Sequence, residues 1–106
     1  MVTDSARFRS EVQRTADRLR GLGVARLERA DPAGSAATRV RRLIERIVAA
    51  SSAVTGRDFP LPVLLPHGLA DQLSVVGAEL ADIAEEHQVP DLAQLSQDLL
   101  ELRRSV

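Results

Sequence analysis

Four stretches of this chain carry apolar residues at steps of three and four, the spacing that places one apolar stripe along a helix. Each stripe is about 100° wide and has to be buried against other stripes. The pattern predicts four helices, over residues of about 4–22, 32–55, 67–87 and 90–104. In a chain of 106 residues, four such helices close around one core. We therefore expect a single all-α domain, a four-helix bundle built from antiparallel helical hairpins.

Local signals predict where these helices begin and end. Thr3 or Asp4 can cap the first helix, because a short side-chain oxygen accepts a free backbone N–H. Asp31 followed by Pro32 predicts the start of the second helix, since proline suits the first helical position. Gly56 predicts its end, because glycine tolerates the left-handed conformation that follows many helices.

The connections between the helices differ in length and character. Residues 24–30 either extend the first helix or form a separate short turn. The connection at Gln88 and Val89 is very short, which predicts that the last two helices are antiparallel neighbours. These two helices follow a nearly regular heptad, which also suits pairing between chains and leaves a homodimer open.

A proline-rich connection over residues 57–66 separates the second and third helices. Its prolines forbid a helix interior, and ten extended residues span roughly 33 Å, so the connection either crosses the whole bundle or turns locally. Large apolar side chains between the prolines lie against the bundle or against a partner. The candidate partner-binding residues of this segment are Phe59, Leu61, Leu64 and Leu65.

Charge is divided sharply between the two halves of the chain. Residues 1–57 hold twelve Arg and six acidic residues, a net charge of +6, whereas residues 58–106 have a net charge of −7. One interpretation is internal, with a basic hairpin packed on an acidic one. The alternatives are contacts between copies or with different partners, and binding of nucleic acid by the basic half.

Two charged helix faces are candidate sites. Arg39, Arg42 and Arg46 share one face of the second helix and form either an anion-binding stripe or a solvated face. On the third helix, a stripe of carboxylates forms either a solvated face or a contact for a basic partner, which includes the Arg face of the same fold. The residues of that stripe are Glu79, Asp82 and Glu86.

Other residues carry weaker signals. Gly77 lies inside the third helix at a cost of about 1 kcal/mol relative to Ala, which indicates either a tolerated surface position or the close approach of another segment. His87 extends the apolar stripe of that helix and could border a small-ligand pocket. We predict no metal or cofactor, because the chain has no Cys and no paired Glu-x-x-His motif.

These patterns favour a non-enzymatic protein–protein interaction module that self-associates or docks on a protein partner. The alternative is a nucleic-acid-associated regulatory protein that uses the Arg face of the first two helices. The sequence contains neither a nucleophile elbow nor a phosphate-binding loop, so no motif in it indicates an enzyme. We expect a cytoplasmic location, since neither a secretory signal nor a membrane-spanning stretch is visible. The composition is typical of Arg- and Ala-rich helical proteins from GC-rich bacteria.

Overall fold

A computed structural model describes residues 3–30, 32, 34–58 and 68–106. These residues form helices and no strand, so the predicted all-α class is confirmed. The radius of gyration is 13.3 Å, and a compact domain of this length is expected to have a value of about 13 Å. The five helices are α1 (Asp4–Arg20), α2 (Val24–Glu28), α3 (Ala36–Thr55), α4 (Leu69–Glu86) and α5 (Leu92–Ser105).

Helix ends follow the capping chemistry of the chain, with one clear correction. The Thr3 hydroxyl accepts a hydrogen bond from the Ala6 N–H at 3.1 Å and caps α1 as predicted. The long second helix, α3, begins four residues later than predicted. Gly34 has a left-handed φ of 93° that breaks the helical path, and the Ser35 hydroxyl caps the helix instead. Gly56 ends α3 in the left-handed conformation (φ 71°) as predicted.

The remaining boundaries shift by a few residues. α1 ends at Arg20, two residues early, and residues 24–28 form the separate helix α2. α5 begins at Leu92, two residues late. Asp31 and His67, which the sequence placed at helix starts, lie outside the described residues.

All four apolar stripes contribute to one core. His87 is the exception among the predicted stripe positions, because its backbone is extended (φ −132°) and its side chain is exposed. Gly77, at the edge of its stripe, is itself buried. The largest fully buried core side chains include Phe8, Val40, Ile44, Ile47, Leu69, Leu73, Leu80, Leu95 and Leu99.

The long helices pack so that α1 and α3 each contact both α4 and α5. The predicted antiparallel hairpins are wrong, since neither α1 and α3 nor α4 and α5 are a main packing pair. The last two helices are therefore not the close neighbours that the sequence predicted. The connection between them turns at Asp91, whose φ of 41° is left-handed, and α5 continues along α1 and α3.

Side-chain pairs establish the directions of the helices. Arg9 bonds Asp82 near the end of α4, whereas Arg20 bonds Asp71 near its beginning, so α1 and α4 are antiparallel. Contacts along α5 show that it runs parallel to α1 and antiparallel to α3. These contacts are Arg7–Gln97, Arg18–Val106, Arg39–Ser105 and Arg46–Asp98.

It follows that α3 and α4 run parallel to each other. Arg57, just after α3, lies beside the end of α4 at Glu86 and His87, whereas Gly68 lies at the beginning of α4. The two flanks of the proline-rich connection are thus at opposite ends of α4, about 27 Å apart by helical rise. The candidate residues of that connection, Phe59, Leu61, Leu64 and Leu65, lie outside the described residues.

Candidate interaction surfaces

A groove of about 360 Å³ runs between α3 and α5, the less closely packed of the interfaces that α5 makes. Leu43 and Leu102 form its nearly buried floor. The three candidate Arg residues of α3 line one wall, so the structure brings this predicted set together. The charged and polar lining residues are Arg39, Arg42, Arg46, Asp98, Glu101 and Ser105.

The three Arg residues of this α3/α5 groove differ in their contacts. Arg46 forms an ion pair with Asp98 at 2.7 Å, and Arg39 donates a hydrogen bond to the Ser105 hydroxyl at 2.7 Å. Arg42 lies between them on α3, is exposed, and makes no hydrogen bond or ion pair with the residues that the structure describes. The groove therefore combines a guanidinium without a partner among the described residues, two bridging Arg side chains and an apolar floor.

The predicted carboxylate stripe lies on the outward face of α4. Glu79, Asp82 and Glu86 are all exposed. Asp82 is also held from within the fold, since Arg9 donates to it at 2.6 Å. Within the described part of the chain, Glu79 and Glu86 make no ion pair. One turn before Glu79, Val75 is 70% exposed, the largest exposed fraction among the large apolar residues that the structure describes.

Ion pairs join the basic and acidic halves of the chain. Arg9 contacts both Asp82 and Glu85, and the hydrogen bond to Asp82 is the main reason that the pKa of Arg9 is raised. Arg20 contacts Asp71 at 2.9 Å, and this hydrogen bond likewise raises the pKa of Arg20. With the Arg46–Asp98 pair, these contacts show the charge pairing between the two halves that the internal interpretation expects, although neither half forms a hairpin.

One polar cluster reverses this pattern and was missed from the sequence. Arg103 of α5 donates to the Glu11 carboxylate of α1 at 2.7 Å, and Thr15 lies 3.4 Å from the same guanidinium. Thr15 also donates to the Leu99 carbonyl, and only 11% of the Glu11 side chain is exposed. The only signal in the sequence was the spacing of Glu11, three residues after Phe8 and four before Thr15, which places it on the apolar side of α1 but does not name its partner. This cluster holds α5 against α1.

Gly77 lies at a close approach of α1 and α4. A Cβ placed on Gly77 would lie 2.5 Å from Cγ1 of Val12 and 2.7 Å from its Cγ2. Of the two interpretations of this glycine, close approach of another helix is confirmed, and that helix is α1.

A wide depression of about 760 Å³ lies between the start of α1 and the end of α4. His87 and the ion-paired Arg9 and Glu85 are part of its wall. The depression is open and its His87 side chain is exposed, so it supplies no enclosed pocket for the small-ligand interpretation.

Comparisons with known proteins found no match to this chain. No protein-family model, no curated protein and no solved structure matches it. In the described ranges, no group of three or more acidic or His residues is arranged to hold a metal ion. No helix in the described part of the chain has the length and apolar character that crossing a membrane requires.

Proposed function

We propose that this chain is a non-enzymatic protein-interaction module on a four-helix bundle of α1, α3, α4 and α5. In this proposal the α3/α5 groove receives an acidic surface of a protein partner. The observation that supports it most is the position of Arg42, exposed and without a bonded neighbour among the described residues, above Leu43 and Leu102.

The charges of the groove favour a protein over a nucleic acid. A polyanion is best bound by a uniformly basic surface, and each phosphate contact adds to the salt dependence. Here three Arg side chains lie beside Asp98 and Glu101, and Asp98 already pairs with Arg46, so the groove offers few cations to a long run of phosphates. A protein surface carries both signs of charge and apolar side chains, so it can match this mixed lining. The nucleic-acid alternative remains an outcome of the experiment below.

Capture from a lysate of the source cells tests this function. The immobilised chain is compared with an Arg42→Glu variant and with an Arg14→Glu control. Arg14 is also exposed and makes no bond with the described residues, so the control changes net charge by the same amount. We expect protein capture that resists nuclease, weakens in salt, is lost in Arg42→Glu and persists in Arg14→Glu. Loss of all captured material on nuclease treatment would contradict the proposal and favour nucleic-acid binding.

A further inference from the structure

The basic and acidic faces of this molecule carry their charges at the same spacing. Arg39, Arg42 and Arg46 follow steps of three and four along α3, as do the carboxylates Glu79, Asp82 and Glu86 along α4. Each set covers about 10 Å of helix and lies on an accessible side of the molecule. A helix that carries the carboxylate stripe therefore presents its carboxylates at the same spacing as the guanidinium groups of the groove.

We propose that the partner of the α3/α5 groove is a second copy of this chain, which inserts the carboxylate stripe of its α4. This inference rests on the proposed function, because it names the occupant of the same groove. Glu79, Glu86 and Arg42 make no ion pair with the described residues, so their charges are available for a contact with another copy. Val75, at one end of the stripe, supplies an exposed apolar side chain to the contact.

The groove and the stripe are different surfaces of one chain. A contact between them leaves a free groove on one copy and a free stripe on the other, so it is of the heterologous type. Further copies can add to either side until a ring closes. The contact consists of exposed ion pairs, and we therefore expect weak, concentration-dependent assembly that declines steeply with salt.

Variants that change one surface at a time test this arrangement. Arg42→Glu disables the groove and keeps the stripe. A second variant with Glu79→Arg and Glu86→Arg disables the stripe and keeps the groove. None of these three residues belongs to an ion pair of the described fold, so both variants are expected to keep the wild-type circular dichroism. The matched controls are Arg14→Glu and the double change Glu28→Arg with Asp58→Arg, all at exposed residues.

Sedimentation velocity over a wide concentration range at low and high salt gives the readout. We expect the wild type and both controls to self-associate, and each surface variant alone to be weakened by about tenfold or more. A mixture of the two surface variants should form a 1:1 pair that does not grow, because one intact groove meets one intact stripe. This pair is the result specific to a heterologous contact.

Two results would overturn the inference. One is a wild-type chain that stays monomeric at low salt, and the other is a mixture that forms no 1:1 pair although the wild type associates. If lysate capture still depends on Arg42 in either case, the protein-binding function stands and only its occupant is wrong. If capture is also independent of Arg42, both proposals fail.

Discussion

The interfaces of α1 and the interface between α3 and α5 are built from similar residues but are held together differently. α1 approaches α4 so closely that Gly77 leaves no room for a Cβ, and it bonds α5 through the buried Glu11–Arg103 pair. α3 and α5 face each other across a groove, and Arg39 and Arg46 of α3 reach across its edge to bond residues of α5. The comparison indicates that α1 carries much of the stability, while the α3/α5 side remains accessible for contacts.

The largest expected effect comes from breaking the buried pair on the α1 side. An Arg103→Met variant leaves the Glu11 carboxylate largely out of water without its cation, and we expect a loss of about 3 kcal/mol in the free energy of unfolding. Urea unfolding followed by circular dichroism measures it. In the double variant Glu11→Met with Arg103→Met, most of this loss should be recovered, because neither charge is then buried alone. A loss below that of a typical surface change would show that the cluster does not hold α5.

The next effect concerns the close approach of α1 and α4. Gly77→Ala gains about 1 kcal/mol in helix propensity but forces Val12 or the helices to move, at a cost of roughly 1–3 kcal/mol. We expect a net destabilisation of about 1 kcal/mol in thermal or urea unfolding. A Val12→Ala change should cost less in the Gly77→Ala background than in the wild type, since the new methyl group fills the space. Purely additive costs would contradict the contact.

Two buried hydroxyl groups should give a change of similar size and opposite sign. The Oγ atoms of Ser96 and Ser51 are buried and find no hydrogen-bond partner among the described residues. We expect Ser96→Ala and Ser51→Ala each to stabilise the fold by about 1 kcal/mol, because an unsatisfied polar group is removed and Ala favours a helix. Ser74→Ala is a useful control, since its hydroxyl accepts a bond from Arg20 and should not gain in the same way.

The smallest effect is predicted at the α3/α5 groove. Arg46→Gln removes an ion pair in which half of the Arg side chain is exposed, so we expect a loss of about 0.5 kcal/mol. A double-mutant cycle with Asp98→Asn isolates the coupling between the two side chains. A coupling as large as that of Glu11 with Arg103 would remove the difference between the two sides of the molecule.

Much of the fold could be predicted from the apolar spacing, because a core position has to recur with the helical repeat. The stripe through Leu69, Leu73, Leu80 and Ile83 is buried as expected. The failures are at points where a backbone conformation decides. The left-handed Gly34 delays α3, and the left-handed Asp91 precedes an α5 that does not pack closely on α4. A short connection limits distance, but it does not determine which helices become neighbours.

The candidate surfaces were predictable only as single faces. Periodicity places Arg39, Arg42 and Arg46 together on one helix, and the structure adds that they border a groove. Periodicity could not predict that Asp98 and Glu101 lie across from these Arg residues, because that depends on the position of α5. The Glu11–Arg103 pair, 92 residues apart in the chain, was hidden for the same reason.

The topology also has a consequence for how the molecule forms. All the main interfaces among the long helices join the first half of the chain to the second, since α1 and α3 both pack on α4 and α5. The two halves thus resemble two peptides of opposite charge that fold on binding each other, with the proline-rich connection as a tether that raises their effective concentration. Residues 1–57 are synthesised first, and their apolar stripes become buried only when α4 and α5 are present to pack against them.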